Sequence, residues 1–144
     1  MKRNAIAATL VFCALAVLAP AAADAATIVA RVNIALQQMT VTYNGLPLHI
    51  WPVSTARRGK VTPVGSWTAK WLSKNHRSSI YDNAPMPYSI FYNGNYAVHG
   101  TTSITKLGQP ASAGCVRLHP DNAAILFDLA KREGLDNVKI VVEP

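Results

Sequence analysis

Two side chains in the last third of the chain have the types that a covalent mechanism needs, Cys115 and His99. A cysteine attacks as its thiolate, and a free thiol is mostly protonated near neutral pH, so it needs a base. Histidine is the natural base, because its unperturbed pKa of about 6.5 lies close to neutrality. The stretch between the two residues is too long for a local pair. The fold must therefore bring them together, with His99 at a strand end and Cys115 after a loop.

A glycine and an arginine flank the thiol in a way that suits acyl transfer. Gly114 lets the backbone turn closely just before Cys115, and backbone N–H groups there can form an oxyanion hole. If this piece is extended, Arg117 points along with Cys115. It can then hold a substrate carboxylate and favour the thiolate. We therefore expect Cys115 to be accessible, with a pKa depressed by His99 and Arg117.

Each of these residues also has an ordinary structural explanation. A lone buried cysteine commonly packs in a core, and a histidine before a glycine commonly ends a strand. Arg117 can pair with Asp121 or Asp128 instead of a substrate. The joint pattern, rather than any one residue, favours catalysis.

Residues 1–25 are predicted to be a secretory signal peptide, which leaves residues 26–144 as one domain. Lys2 and Arg3 form a basic start, an apolar run over residues 5–19 follows, and residues 23–25 (Ala-Asp-Ala) suit a signal peptidase. A membrane anchor is the alternative, but the run is shorter than the ~20 residues of a spanning helix. We expect an exported protein of the periplasm or cell wall, without a stable membrane span after cleavage.

Cysteine count and charge narrow the possible classes of protein. The chain has two cysteines and a formal net charge of +7. Cys13 lies in the apolar run, so Cys115 remains without a disulfide partner; in an oxidising compartment such a thiol is either buried and inert or needed for chemistry. The basic cluster at residues 57–60 (Arg-Arg-Gly-Lys) is interpreted as a solvated turn, and no nucleic-acid partner is expected. Without a group of metal ligands at suitable spacing, we expect no metal and no cofactor.

The pattern of apolar residues predicts a mainly β fold with one packed helix. Asn44-Gly45 is a strong hairpin turn. The helix is predicted to begin at Pro120 and to end at Gly134. Residues 73–87 are polar and interrupted by proline, and are interpreted as a long surface loop. Strands are predicted over residues 27–32, 39–43, 46–53, 66–72, 89–92, 96–98 and 138–142.

The segment around the thiol resembles the L,D-transpeptidase catalytic domain, also called the YkuD domain. That family carries His-Gly, a variable stretch, and then Ser-His-Gly-Cys followed by a hydrophobic residue and Arg or Asn. This chain has His99-Gly100 and later the run 112–117, Ser-Ala-Gly-Cys-Val-Arg. Residues 51–55, 62–67 and 87–91 are similar to the family's other motifs, so the resemblance covers essentially all of residues 26–144. Ala113 departs from the family pattern, which often has His at this position. We expect this departure to affect the choice of acceptor or the rate.

The resemblance implies a YkuD-like β-sandwich and a ping-pong reaction on peptidoglycan stem peptides. Cys115 would attack the amide after the diamino acid at position three, release D-alanine, and pass the acyl group to an amine as a 3→3 cross-link. The Gly100 carbonyl would orient His99, and a carbapenem would leave a covalent adduct on the thiol. The candidate substrate-binding residues are Arg117, Ser112, Gly114, Tyr88 and Met86, although Met86 and Tyr88, like Tyr81, can equally belong to the core.

Three functions remain open at the level of sequence. An L,D-transpeptidase and an L,D-carboxypeptidase use the same residues and differ in whether an amine or water resolves the acyl-enzyme. A non-catalytic wall-binding domain would require Cys115 and His99 to be incidental. The acceptor can be a second stem peptide, a lipoprotein lysine or a free D-amino acid, and the sequence does not choose among them.

Overall fold

The computed structural model describes residues 26–144, which form two β-sheets with one α-helix beside them. The strands are β1 (Ile28–Asn33), β2 (Gln38–Tyr43), β3 (Leu46–Pro52), β4 (Gly65–Thr68), β5 (Trp71–Arg77), β6 (Pro85–Asn93), β7 (Tyr96–Gly100), β8 (Val116–Leu118) and β9 (Val138–Glu143). One sheet has the order β3-β2-β1-β9-β4, and the other has the order β5-β6-β7-β8. The predicted mainly β fold with one packed helix is confirmed.

The core lies between the two sheets and follows from alternation along the strands. In β1, Ile28, Ala30 and Val32 are fully buried, whereas Arg31 between them is exposed. Strand β9 runs parallel to β1 and adds every second residue of its own to the same cluster. The second sheet contributes Ile90, Tyr92, Val98, Val116 and Leu118.

Helix α1 (Pro120–Glu133) closes one side of this core. The His119 ring caps its start by accepting the Asp121 N–H at 3.2 Å. Gly134, with φ of 85°, ends it and donates its N–H to the Ala130 carbonyl at 3.0 Å. Both predicted helix ends are therefore confirmed. The helix packs on β6 and β7 through Ala123, Leu126, Phe127, Leu129 and Ala130.

Two predictions for the middle of the chain were wrong. The single strand predicted over residues 66–72 is two strands, because the chain crosses between the sheets within it: the Ala69 N–H still bonds to Val138 of the first sheet, whereas the Lys70 N–H bonds to Phe91 of the second. The long loop predicted over residues 73–87 is mostly strand, in β5 and β6, and residues 78–84 connect them. The loop was predicted because the segment is polar. The polar residues are compatible with strands here, because one face of this hairpin is exposed to solvent.

The signal peptide predicted over residues 1–25 lies outside the described residues. Within residues 26–144, no helix combines the length and the apolar character that a membrane crossing requires.

Candidate active site

Neighbouring parallel strands bring the predicted base and nucleophile together. Strands β7 and β8 pair with His99 opposite Arg117 and Val98 opposite Val116. Side chains alternate along a strand, so His99, Cys115 and Arg117 share one face of the sheet, while Val98 and Val116 enter the core from the other. Strand β8 was not among the predicted strands. Its extended backbone nevertheless agrees with the expectation that Arg117 points the same way as Cys115.

This face forms the floor of an open cavity of about 630 Å³. Cys115, His99 and Arg117 all line it, together with Met86 and Ser112. Its volume lies within the ordinary range of small-molecule sites. The structure thus gathers five of the predicted site residues around one space.

His99 is oriented by a backbone carbonyl. Its Nδ1 lies 2.7 Å from the Gly100 oxygen, and the ring is 5% exposed. A carbonyl can only accept, so Nδ1 carries the proton and Nε2 is left as the basic nitrogen. Burial lowers the pKa of His99 to about 4, although the bond to Gly100 acts in the opposite direction. The imidazole is therefore neutral near pH 7 and can accept a proton.

Gly100 has a steric role besides its carbonyl. A Cβ at this position would lie 3.1 Å from Pro120 Cα and 3.1 Å from Pro87 Cγ. The strand that carries His99 therefore approaches the start of α1 closely, and a side chain at residue 100 would crowd this approach.

Cys115 is half-buried, and its Sγ lies 3.7 Å from the Asn95 carbonyl. Burial raises the pKa of the Cys115 thiol, outweighing a backbone hydrogen bond from Ala97 and the positive charge of Arg117, which both lower it. The expected depressed pKa is therefore wrong for the free protein. Burial thus favours a neutral thiol at Cys115 and a neutral imidazole at His99.

Gly114 shapes the turn before the nucleophile. Its φ is 141°, and a Cβ would lie 2.7 Å from Tyr96 Cε1 and 2.9 Å from the Val61 carbonyl oxygen. The Gly114 N–H donates to the Ser112 hydroxyl at 3.0 Å. Ser112 and Gly114, both predicted substrate residues, thus hold the turn before Cys115, and the Gly114 amide is already occupied rather than free for an oxyanion.

Thr62 was missed at the sequence level, because nothing in a Thr-Pro-Val-Gly run shows what a buried hydroxyl will contact. Its Oγ1 accepts the Ala56 N–H at 2.9 Å and donates to the Gly114 carbonyl at 2.8 Å. The hydroxyl therefore ties the nucleophile turn to the loop after β3.

Thr62→Val should destabilise the protein by about 1–3 kcal/mol, because it leaves two backbone groups without their partner. We also expect slower acylation of Cys115, since the turn that carries it is loosened. Thermal unfolding and intact-mass kinetics would measure the two effects. Thr40→Val, on the outer face of β2, is the matched control; equal effects of the two variants would contradict the role of Thr62.

Met86 and Tyr88 have different places although they are neighbours. Met86 lines the cavity. Tyr88 does not: its ring packs against Phe127 of α1 with centroids 5.7 Å apart, and its φ is 55°. Of the two places that the sequence allowed for Tyr88, the structure has the one in the core, since the left-handed backbone interrupts the alternation of β6 and turns this side chain toward the helix.

Arg117 has no carboxylate partner within residues 26–144. Its backbone N–H and carbonyl exchange hydrogen bonds with Ser54 at 2.9 and 3.0 Å. Asp121, one of the alternative partners, lies 3.6 Å from the His119 ring. The guanidinium consequently faces the cavity with its charge available to a ligand.

Asn93 and Asn95 also line the cavity, but their side chains are not needed to orient the base. We expect Asn93→Ala and Asn95→Ala to change the acylation rate less than about threefold, because the Gly100 carbonyl already orients His99. The contact with the Cys115 sulfur comes from the Asn95 carbonyl, which alanine keeps. Single-turnover acylation measured by mass spectrometry checks this, and a large loss in either variant would show that an amide side chain takes part.

Comparisons with known proteins indicate an L,D-transpeptidase domain. The family model of the L,D-transpeptidase catalytic domain, YkuD, matches residues 27–142. A solved structure of the L,D-transpeptidase LdtMt1 in complex with imipenem is similar with a TM-score of 0.73 and 25% identity, over 81% of this chain and 59% of that one. An L,D-transpeptidase from Mycobacterium smegmatis has a TM-score of 0.72 over 82% of this chain and 59% of its own, and at 23% identity it supports the fold alone.

The chain belongs to the L,D-transpeptidase catalytic domain family. A curated relative, the probable L,D-transpeptidase YbiS of Escherichia coli strain K12, is 27% identical over 103 residues, which are 55% of this chain and 33% of the relative. The chain thus spans a third of that relative and about three fifths of the two solved structures.

Proposed function

We propose that this protein is an exported cysteine L,D-transpeptidase that acts on peptidoglycan stem peptides through a Cys115 acyl-enzyme. The observation that carries the proposal is the arrangement of His99: its Nδ1 is held by the Gly100 carbonyl at 2.7 Å, and its ring lines the same cavity as Cys115. A base oriented in this way needs no carboxylate to complete the site.

The first half-reaction forms a thioester. The Cys115 proton passes to His99 Nε2 while the sulfur attacks the carbonyl of the amide that follows the diamino acid. The C–N bond then breaks, and the imidazolium returns its proton to the amine of the departing D-alanine. Burial favours neutral forms of both catalytic groups before substrate arrives, so the ion pair develops only during attack.

The second half-reaction passes the acyl group to an amine. The acceptor amine attacks the thioester, His99 takes its proton, and the thiolate leaves and is protonated again. Ala113 lines the cavity where the family often has histidine, so the cavity wall has a methyl group in place of an imidazole there. That substitution supports a difference in acceptor handling and leaves the base unaffected.

Incubation of the purified protein with a disaccharide-tetrapeptide, followed by mass spectrometry, tests the function. A cross-linked dimer with loss of D-alanine is the expected product. Accumulation of tripeptide without dimer would identify an L,D-carboxypeptidase instead. An unchanged substrate, with a folded protein, would contradict both.

Export is proposed from residues 1–25 and carries its own test. Cleavage after Ala25 should give a secreted protein that begins at Ala26, which N-terminal sequencing of the exported material would detect. A sequence beginning at Met1 or Lys2 would refute cleavage. The uncleaved chain would then keep both of its cysteines, Cys13 and Cys115.

A further inference from the structure

A second guanidinium enters the cavity from outside the recognised motifs. Arg57 belongs to the basic cluster that the sequence suggested was a solvated turn, yet it lines the cavity together with Arg117 and Cys115. Its backbone N–H donates to the Ser112 carbonyl at 2.9 Å. Arg57 is therefore anchored, through its backbone, to the segment that carries the nucleophile.

The anchoring extends along both segments. The Thr55 carbonyl accepts the N–H groups of Ala111 and Ser112 at 2.9 and 2.8 Å. Farther along, Ser54 and Arg117 exchange two backbone hydrogen bonds. The chain turns away directly after Arg57, where the Lys60 N–H donates to the Arg57 carbonyl at 2.9 Å, and neither Arg58 nor Lys60 lines the cavity.

The charge of this cavity is not balanced by the protein. Arg57 and Arg117 are its cationic side chains, and none of the described residues that line it is an aspartate or glutamate. The ion pairs of residues 26–144 involve Arg31, His119 and Arg132, which lie elsewhere. Burial lowers the pKa of Arg117, and the nearby charge of Arg57 lowers it further, although Cys115 acts in the opposite direction. Two uncompensated guanidinium groups beside one cavity favour an anionic ligand.

We propose that Arg57 and Arg117 together form a carboxylate-binding site next to Cys115, which selects acyl donors with a free carboxylate over donors whose carboxylates are amidated. The inference rests on the proposed function and adds Arg57 as a specificity-determining residue. A guanidinium binds a carboxylate through paired N–H donors, and an uncharged amide offers only one acceptor oxygen and no charge. Ile80 and Met86, on the loop and strand after β5, add apolar surface to the same cavity.

The positive charge next to Cys115 can be measured without substrate turnover, by comparing the rates at which two alkylating reagents modify the thiol. Iodoacetate is an anion and iodoacetamide is neutral, but both react with the same thiolate of Cys115. A change in the thiol pKa therefore cancels from the ratio of their rates, and the ratio reports the local field. Arg57→Gln should lower the iodoacetate-to-iodoacetamide ratio by about threefold to tenfold, as is reasonable for a charge at a partly solvated site. Arg57→Lys should keep most of the wild-type ratio.

Arg58→Gln is the matched control, since it removes the same charge one residue outside the cavity. It should leave the ratio within about twofold of wild type, because an exposed charge at longer range is screened by salt. Equal ratios in Arg57→Gln and Arg58→Gln would overturn the proposed site.

Kinetics with free and amidated donor peptides then test the ligand class. Arg57→Gln should raise KM for the donor with the free carboxylate by about tenfold, with a smaller change in kcat. It should therefore reduce the preference of the protein for the free donor over the amidated donor. A wild-type protein that prefers neither donor would overturn the carboxylate assignment, even if the alkylation ratio depends on Arg57. A folded protein that turns over neither donor but shows the Arg57-dependent ratio would refute the transpeptidase function and support the anion site.

Discussion

Cys115→Ser is expected to abolish acylation, with a loss of at least about 10³-fold in rate, because a hydroxyl is a far weaker acid than a thiol and His99 is not a strong enough base to ionise it. The wild-type protein should open the ring of a carbapenem and gain the mass of one intact drug molecule per chain, and the variant should gain none. Intact-mass spectrometry after incubation measures both. Thermal unfolding of the variant should match that of the wild type, since serine preserves the packing.

Alkylation by iodoacetamide is a second test of the reactivity of Cys115. Because burial raises the pKa of Cys115, alkylation should be slow near neutral pH and should accelerate as pH rises through the range where the thiol ionises. A folded wild-type protein that stays unmodified by a carbapenem, and by iodoacetamide at alkaline pH, would indicate an inert structural cysteine. The enzyme interpretation would then have to be abandoned.

His99→Ala should reduce acylation by about 10²-fold to 10⁴-fold while the fold is kept, because the thiol loses the group that takes its proton. His49→Ala is the control: that ring stacks on Trp51 of β3, far along the chain from the site, and its loss should leave acylation unchanged. Acylation kinetics followed by mass spectrometry would compare them. Loss of activity in the His49 variant with an active His99 variant would refute the assignment of the base.

The pH dependence separates a buried base from an exposed one. Since burial lowers the pKa of His99 to about 4, the basic form should persist in the resting protein well below pH 6.5, and the acid limb of acylation should lie near pH 4. The unfolded chain takes up the same proton near pH 6.5, so stability should be full above that value and should decline as pH falls toward 4. In His99→Ala this part of the stability profile should disappear. An acid limb near pH 6.5 in the wild type would contradict the burial of the base.

The two ends of helix α1 could be read from the sequence because each depends on local rules. Pro120 and Gly134 delimit the helix through backbone geometry. His99 and Cys115 could be singled out as candidates because each lies in a short motif, and strands β7 and β8 then place both on one face of the sheet. Tyr88 could not be placed, since its orientation depends on a left-handed backbone angle within β6, part of which was predicted as loop. Arg57 and Thr62 were missed for a related reason: the Arg57 N–H bonds to the Ser112 carbonyl and the Thr62 hydroxyl to the Gly114 carbonyl, and no local pattern encodes such long-range contacts.

The strands that position His99 and Cys115 also build the hydrophobic core. His99 and Cys115 face the cavity, but Val98 and Val116, their immediate neighbours, are almost fully buried in the main cluster. Heat therefore cannot melt the catalytic centre while leaving the domain folded, because the same backbone must separate in both events. Inactivation on heating and global unfolding should share a single midpoint, and any mutation elsewhere in the core that raises that midpoint should extend the working temperature range of the enzyme by the same amount.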